Sequence, residues 1–465
     1  MRILECLRFS PIKHKLASKM PEKATKLEED LQKMLDKQRA FFRTQKTKPV
    51  EFRREQLLKL KSLLEEYQPK LIESLYKDLR RSPEVTVGVE MRRIMNGLDH
   101  TIEHFADWAK NVELPDVPTG KPQIVKQPIG SVLIIGAFNF PVDLSLHPAI
   151  SALAAGCTVV VKPSELSAAT SQVIYDLISK NFDPSYFACV QGDVDVSRTL
   201  TTLAWDRIFY TGSPRTGKLI MAAAAKNLTP VTLELGGKNP LIALPDSDFQ
   251  KIAENLMFGK FLNCGQVCLM TDYVILFDDE SKRRFKEAIG KTLNATFGEH
   301  PQQNPQFGRI VNRMHFDRIN DLTKQTKGEL LYKSKDDNNA DDLFVGPHVF
   351  YCQPDDVIMQ EEIFGPILGV IQLKDLDEAI DYVNKHEKPL GLYVFANDSG
   401  KAQRVVNETM SGGVTVNGVV HHASVPDLPF GGVGNSGMGR SNGKFGFDQF
   451  THEKALLTAT PASKQ

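Results

Sequence analysis

From residue 131 onward short apolar runs alternate with helix-patterned stretches, and this rhythm restricts the folds open to the chain more than any other feature. "SVLIIGAF" (131–138) is followed by "LSLHPAISALAAG" (144–156), and "CTVVVKPS" (157–164) by "LSAATSQVIYDLIS" (166–179). "YFACVQG" (186–192) precedes "VSRTLTTL" (196–203), and "RIFYTGS" (207–213) precedes "PRTGKLIMAAAAKN" (214–227). Unbroken apolar runs suit strands covered on both faces, and helical crossovers between them give parallel neighbours. An α/β chain with a parallel sheet is expected. A second α/β block continues from "VTLELGGKNP" (231–240) to about residue 420.

Upstream of the alternation the pattern is helical. "EFRREQLLKLKSLLEEYQPKLIESLYKDL" (51–79) repeats apolar residues at three- and four-residue spacing with charges between, as in a helix with one buried face. "ELPDVPTGKPQIVKQPIG" (113–130) then reads as two extended arms about a turn at "PTGK". Such an arm is either an oligomer contact or an ordinary surface hairpin. The glycine-rich "PFGGVGNSGMGRSNGKFGFDQF" (429–450) reads, on composition alone, as a flexible linker.

Lys plus Arg and Asp plus Glu both number 57, so the basic excess of a nucleic-acid binder is missing. Cysteines at 6, 157, 189, 264, 268 and 352 are scattered, which fits free thiols rather than a disulfide framework. Cys264 and Cys268 have no second Cys/His pair at zinc spacing, so no metal is expected. The apolar runs are too short to span a membrane, and "KALLTATPASKQ" (454–465) is not an anchor. The opening 21 residues carry Arg2, Arg8, Lys13, Lys15 and Lys19 against Glu5. They read as a disordered leader with Met20 as an alternative start, or as a transit peptide. A cytoplasmic location is expected, with mitochondrial import through this leader as the alternative.

Four places could carry chemistry. In "RIFYTGSPRTGK" (207–218), Gly212 and Gly217 flank the start of a helix with Pro214 in its first turn, either a pyrophosphate-binding N-terminus or a plain turn. In "VVVKPSE" (159–165), Lys162 and Glu165 stand at the carboxyl edge of a strand, where α/β sheets bind ligands, or form an ordinary surface pair. Glu234 is isolated in the apolar "VTLELGGKNP", so it is either a general base with raised pKa or a structural carboxylate. "FLNCGQVCLM" (261–270) offers two thiols, Cys264 and Cys268, each a nucleophile or an inert buried side chain.

Together with "GAFNFP" (136–141), "QEEIFGPI" (360–367) and "LPFGGVGNSGMGR" (428–440), these pieces follow the order found in the aldehyde dehydrogenase superfamily. The sequence resembles its class-3 branch, which includes the fatty aldehyde dehydrogenases, from about residue 25 to 452. The resemblance implies that Cys268 is the nucleophile and that Cys264 occupies a position the reaction does not require. It implies that Asn139 and the Cys268 N–H stabilise an oxyanion and that Glu234 activates water. Lys162 and Glu165 match the adenosine-ribose contacts, Gly212 and Ser213 the start of the pyrophosphate helix, and Glu362 and Phe364 the nicotinamide pair. Glu165 would favour NAD by accepting from the 2′-hydroxyl, while Lys162 would tolerate the 2′-phosphate of NADP. Cys264, four residues from Cys268, also suggests a protective disulfide under oxidation.

The implied fold is aldehyde dehydrogenase-like: a Rossmann-like cofactor domain (22–110 and 128–235), an α/β catalytic domain (236–423) and a small β-hairpin oligomerisation element (111–127 with part of 424–452). A leader (1–21) and a tail (453–465) flank them. The implied reaction oxidises medium- to long-chain aliphatic or aromatic aldehydes to acids, in a homodimer without a transmembrane anchor. Two departures stand out. Met270 replaces a small residue two positions after the nucleophile, and Phe138 and Phe140 stand where Trp or Tyr is common, predicting a wholly apolar entrance. The rivals are an acyl-CoA-forming relative and a binding protein that has lost turnover.

Overall fold

Three helices open the chain, α1 (Glu22–Arg43), α2 (Val50–Leu79) and α3 (Arg92–Trp108), in a computed structural model that describes residues 22–459. The spacing read in 51–79 is that of α2, whose Leu57, Leu60, Leu64, Leu71 and Leu75 are fully buried on one face. Between α2 and α3 a π-helical turn, Thr86–Met91, carries Glu90 into complete burial. The arm follows as β1 (Val112–Glu113) and β2 (Gly120–Pro128).

Strand and helix then alternate as β3 (Ser131–Ile135), α4 (Pro141–Ala155), β4 (Thr158–Lys162), α5 (Ala168–Ser179), β5 (Phe187–Cys189), α6 (Val194–Thr202), β6 (Arg207–Thr211), α7 (Pro214–Ala224) and β7 (Val231–Glu234). The second block supplies β8 (Asn239–Ala243), β9 (Thr271–Leu276), β10 (Glu329–Lys333), β11 (His348–Tyr351), β12 (Ile367–Gln372), β13 (Gly391–Phe395) and β14 (Gly413–Val416). Two late strands complete the set, β15 (Gly437–Met438) and β16 (Thr451–Ala459).

The first sheet runs β15-β7-β6-β3-β4-β5, parallel except for β15. Its strand order reverses between β3 and β6, the crevice at which open α/β sheets hold ligands outside their carboxyl ends. Alternation explains the unbroken apolar runs. Val132, Ile134, Val159 and Val161 face a core shared with α2, α4 and α5. Leu133, Ile135, Val160 and Ile208 face a second core with α1, α6 and α7. The second sheet runs β10-β11-β12-β9-β8-β13-β14, and only β10 is antiparallel. Leu235 to Lys238 alone separate the carboxyl end of β7 from the amino end of β8, so the carboxyl ends of the first sheet's strands lie toward the amino ends of the second's.

Three assignments from sequence change. Residues 453–459, placed in the tail, belong to β16, which pairs antiparallel along the whole of β2 in the three-stranded sheet β1-β2-β16. Of the stretch 424–452, partly assigned to the arm, Thr451 and His452 begin β16 beside β2, while Gly437–Met438 form β15 at the edge of β7. The glycine-rich 429–450 is ordered, because its glycines allow close packing: a Cβ on Gly432 would lie 2.0 Å from the Ser436 carbonyl oxygen. The leader lies outside the described residues. Among those described, no helix is long and apolar enough to cross a membrane.

Candidate active site

Cys268 follows a turn of unusual backbone. Asn263 (φ 52°), Cys264 (φ 56°) and Gly265 (φ 74°) are all left-handed, a conformation that costs L-residues about 1–2 kcal/mol each. Only glycine fits the third place, since a Cβ there would sit 2.2 Å from the Gly365 carbonyl oxygen. Hydrogen bonds hold the turn. Asn263 donates to the Asn139 carbonyl (3.0 Å), and Gln266 donates to the carbonyls of Asn263 (3.0 Å) and Arg309 (2.9 Å). Gln266 Oε1 accepts from the Val311 N–H (3.0 Å).

Beyond the turn, three successive carbonyls are pinned. Asn239 Nδ2 donates to Cys268 O (2.8 Å) and Met270 O (2.9 Å), and the Tyr393 hydroxyl donates to Leu269 O (2.5 Å). Met270 is buried and its N–H donates to the Val267 carbonyl (3.0 Å), so the long side chain is accommodated without releasing the loop. Cys264 is enclosed in the core of the second sheet, its Sγ against Val345 O (3.8 Å). The structure keeps both cysteines as free thiols.

Cys268 is half-buried, yet its sulfur lies among packed atoms. Burial first, then the Glu362 and Glu234 carboxylates, push the thiol up to about 12. Glu234 ends β7 at 5% exposure. Burial raises its carboxyl to about 8, against the pull of the Ser441 hydroxyl and the Arg93 charge. Its Oε1 accepts from Ser441 Oγ (3.2 Å), and Oε2 has no partner. A carboxylate with one fixed and one free oxygen, titrating near neutrality, suits a general base. Asn139 precedes α4, and Gln266 O accepts one of its amide hydrogens (3.1 Å). Glu90 fixes the start of α4 by accepting from the Val142 (2.7 Å) and Asp143 (3.1 Å) N–H groups, with the buried Arg81 beside it (2.6 Å).

The cofactor candidates line the crevice of the first sheet. Lys162, 1% exposed at the end of β4, pairs with the more open Glu165. Ser213 caps α7 by accepting from the Thr216 N–H (3.3 Å), and a Cβ on Gly212 would meet the Tyr210 hydroxyl at 2.1 Å. Thr211 Oγ1 is buried there without a partner. Across the cleft, burial first and then Asp272 raise Glu362 to about 8, while the Gly237 N–H offsets part of the rise. A Cβ on Gly236 would lie 2.1 Å from Glu362 Oε2. Phe364 is left-handed (φ 52°) and stands edge-on to Phe138 at 5.8 Å. These residues fit a dinucleotide: a capped helix start and a spare buried hydroxyl at the first sheet's crevice, with Glu362 and Phe364 across the cleft.

Several site residues escaped the sequence reading. Asn239, Tyr393, Gln266, Ser441, Arg93 and the Arg81–Glu90 pair act through contacts distant along the chain. Asp272 is another: it takes Lys238 (2.7 Å), Lys260 (3.2 Å) and the Ile363 N–H (3.2 Å), tying β9 to the Glu362 loop. The only sequence signal was the isolation of polar letters within apolar surroundings, as in "GGKNP". The wholly apolar entrance is not what these side chains form. Phe140 is buried beneath the Arg81 guanidinium (4.6 Å), Phe138 neighbours His315 (5.7 Å), and Arg93 stands beside the cleft.

A Rossmann-type parallel sheet joined to a second α/β sheet is the architecture of a dinucleotide-dependent dehydrogenase. Comparison with known proteins agrees: the family described as "Aldehyde dehydrogenase family" matches residues 7–456, and the chain belongs to that family. It is 41% identical over 424 residues to 4,4'-diaponeurosporen-aldehyde dehydrogenase of Staphylococcus aureus, covering 90% of this chain and 92% of that one. It is 38% identical over 434 residues to the dimeric NADP-preferring aldehyde dehydrogenase of Mus musculus, covering 92% and 94%. The solved substrate-bound state of Staphylococcus aureus AldH superposes with a TM-score of 0.90 at 38% identity, covering 94% and 95%. The protein is an oxidoreductase that oxidises aldehydes with NAD or NADP.

Proposed function

We propose that Cys268, Asn139 and Glu234 carry this oxidation through a covalent thioester, on aldehydes of medium to long aliphatic chain. The observation that carries the reading is the pinned cysteine loop, which places Cys268 within the field of both Glu234 and Glu362. The Cys268 thiol gives its proton to water, the thiolate sulfur forms a bond to the aldehyde carbon, and the carbonyl π pair moves to the oxygen as an oxyanion. The second amide hydrogen of Asn139 and the Cys268 N–H donate to it, each donor being worth about 3 kcal/mol of barrier. When bound, the dinucleotide supplies the acceptor for the hydride this carbon releases. Lys162 and Glu165 hold its adenosine ribose, Gly212 and Ser213 its pyrophosphate, and Glu362 and Phe364 its nicotinamide end. The free Oε2 of Glu234 then takes a proton from water, the water oxygen bonds to the acyl carbon, and the C–S bond breaks to return the thiolate and release the acid.

A base for water has no purpose where coenzyme A resolves the thioester, which favours the hydrolytic product. Val425 and Leu428 are exposed on the segment that Arg93 holds through Ala423 O, and we assign them as the apolar surface for an aliphatic chain. Each methylene buried there contributes about 0.8 kcal/mol, so kcat/KM should rise roughly fourfold per carbon along a series of linear aldehydes until the surface is filled. A flat series, or acyl-CoA as product when coenzyme A is added, would count against the reading. We further propose a homodimer through the arm. β16 is a nine-residue edge strand with Leu456 and Leu457 exposed, and a relative's name includes "dimeric". The cytoplasm is the compartment that the free thiols favour.

A further inference from the structure

Arg93 lies in the first turn of α3 and spends its guanidinium on three separate segments. Nε donates to Asp143 Oδ2 on α4 (2.8 Å), Nη1 to the Ala423 carbonyl (2.6 Å), and Nη2 to Asn442 Oδ1 (3.3 Å). Asn442 is in a conformation that non-glycine residues rarely adopt (φ 71°, ψ 136°). Its own Nδ2 donates to the same Ala423 carbonyl (3.2 Å), so the strained residue is gripped at both ends of its amide. The preceding residue is Ser441, whose Oγ reaches Glu234 Oε1 (3.2 Å) and is also near Phe430 O (3.5 Å). A continuous set of contacts thus runs from Arg93 to the candidate base.

We propose that Arg93 is a positioning residue for the hydrolytic half of the reaction: it holds Asn442 in its strained conformation, Asn442 directs Ser441, and Ser441 fixes Glu234 with Oε2 free for water. The inference rests on the reading of Glu234 as the base. The charged and titratable groups facing Glu234 are Cys268 on the nucleophile loop, itself within the field of Glu362, and Arg93 with its partner Asp143 and the adjoining His147. Arg93 is the cation among them whose charge reaches both Glu234 and Cys268. Removing it takes away a charge that favours the ionised base and loosens the hydroxyl that does the same, so both effects raise the pH at which the base becomes available.

The test compares Arg93→Met, Arg93→Lys, Ser441→Ala, the double variant Arg93→Met/Ser441→Ala, and Glu234→Gln in the full chain. Pre-steady-state and steady-state formation of reduced nicotinamide are followed across pH. Arg93→Met should keep the burst amplitude at one equivalent, lower steady-state turnover about tenfold, and move the acid limb of the profile up by about one pH unit. Arg93→Lys should recover part of both, and the double variant should be no slower than the slower single variant, because the two residues act in series. Multiplying losses, an unmoved acid limb, or loss of the burst together with turnover would overturn the inference. If Arg93→Met does not fold, Asn442→Gly accepts the same backbone without its grip and, with the Arg93 charge still present, should show a smaller shift in the same direction; no shift would overturn the inference equally. Glu234→Gln that retains turnover would remove the reading beneath it and the inference with it, whereas a dead Glu234→Gln beside an unaffected Arg93→Met would remove the inference alone.

Discussion

Cys268→Ala should lose aldehyde oxidation by on the order of 10⁴-fold or more while still binding the dinucleotide. The loss is large because no other group can form the acyl bond. Cys264, the other thiol of the loop, is sealed in the core against Val345 O, where burial pushes it up to about 12. Cys264→Ala should therefore keep turnover and cost only about 1 kcal/mol in stability, since it removes one small buried group from a packed core. Turnover measured on the two variants side by side checks this. Activity that survives in Cys268→Ala and disappears in Cys264→Ala would reverse the assignment.

Glu234→Gln should separate the two halves of the reaction. Steady-state turnover is expected to fall by about 10²–10⁴, the usual range for a lost general base, while one equivalent of reduced nicotinamide per active site still forms in the burst. The pH dependence follows from the same carboxyl. Burial holds it at about 8 in the fold, above the ordinary 4.5. The base form is therefore scarce below that value, and hydrolysis rises with pH through about 8 before levelling. Stability runs the other way. Between those two values the unfolded carboxyl ionises while the folded one stays protonated, so the native chain loses stability as pH rises, and Glu234→Gln should lose less. Stopped-flow bursts and denaturant midpoints across that range measure both effects.

The fold was legible where the chemistry is local. Runs such as "VVV" (159–161) are apolar at every position because each residue faces one of two cores, and that pattern needs no partner to be read. The arm was half legible: proline and glycine marked β2, but the polar-looking 451–459 became a strand only by pairing with it. The site divides in the same way. Cys268, Glu234 and the Lys162–Glu165 pair stand out in their own segments. By contrast, Asn239, Tyr393 and Arg93 act on residues 29 to 349 positions away, and no local spacing announces such bonds. The apolar entrance was misjudged for a related reason. Phe140 is apolar as a letter, but Arg81, brought back from the end of α2, covers its ring.

The most direct test of the account traps the acyl-enzyme. Glu234→Gln is mixed with NAD and a saturated linear aldehyde of medium chain, quenched in acid, and read by intact and peptide mass spectrometry. The account predicts one acyl group per chain, on the peptide carrying Cys268 and released by hydroxylamine. An unmodified chain after a full burst, or an acyl group on any other residue, would contradict the thioester mechanism at its centre.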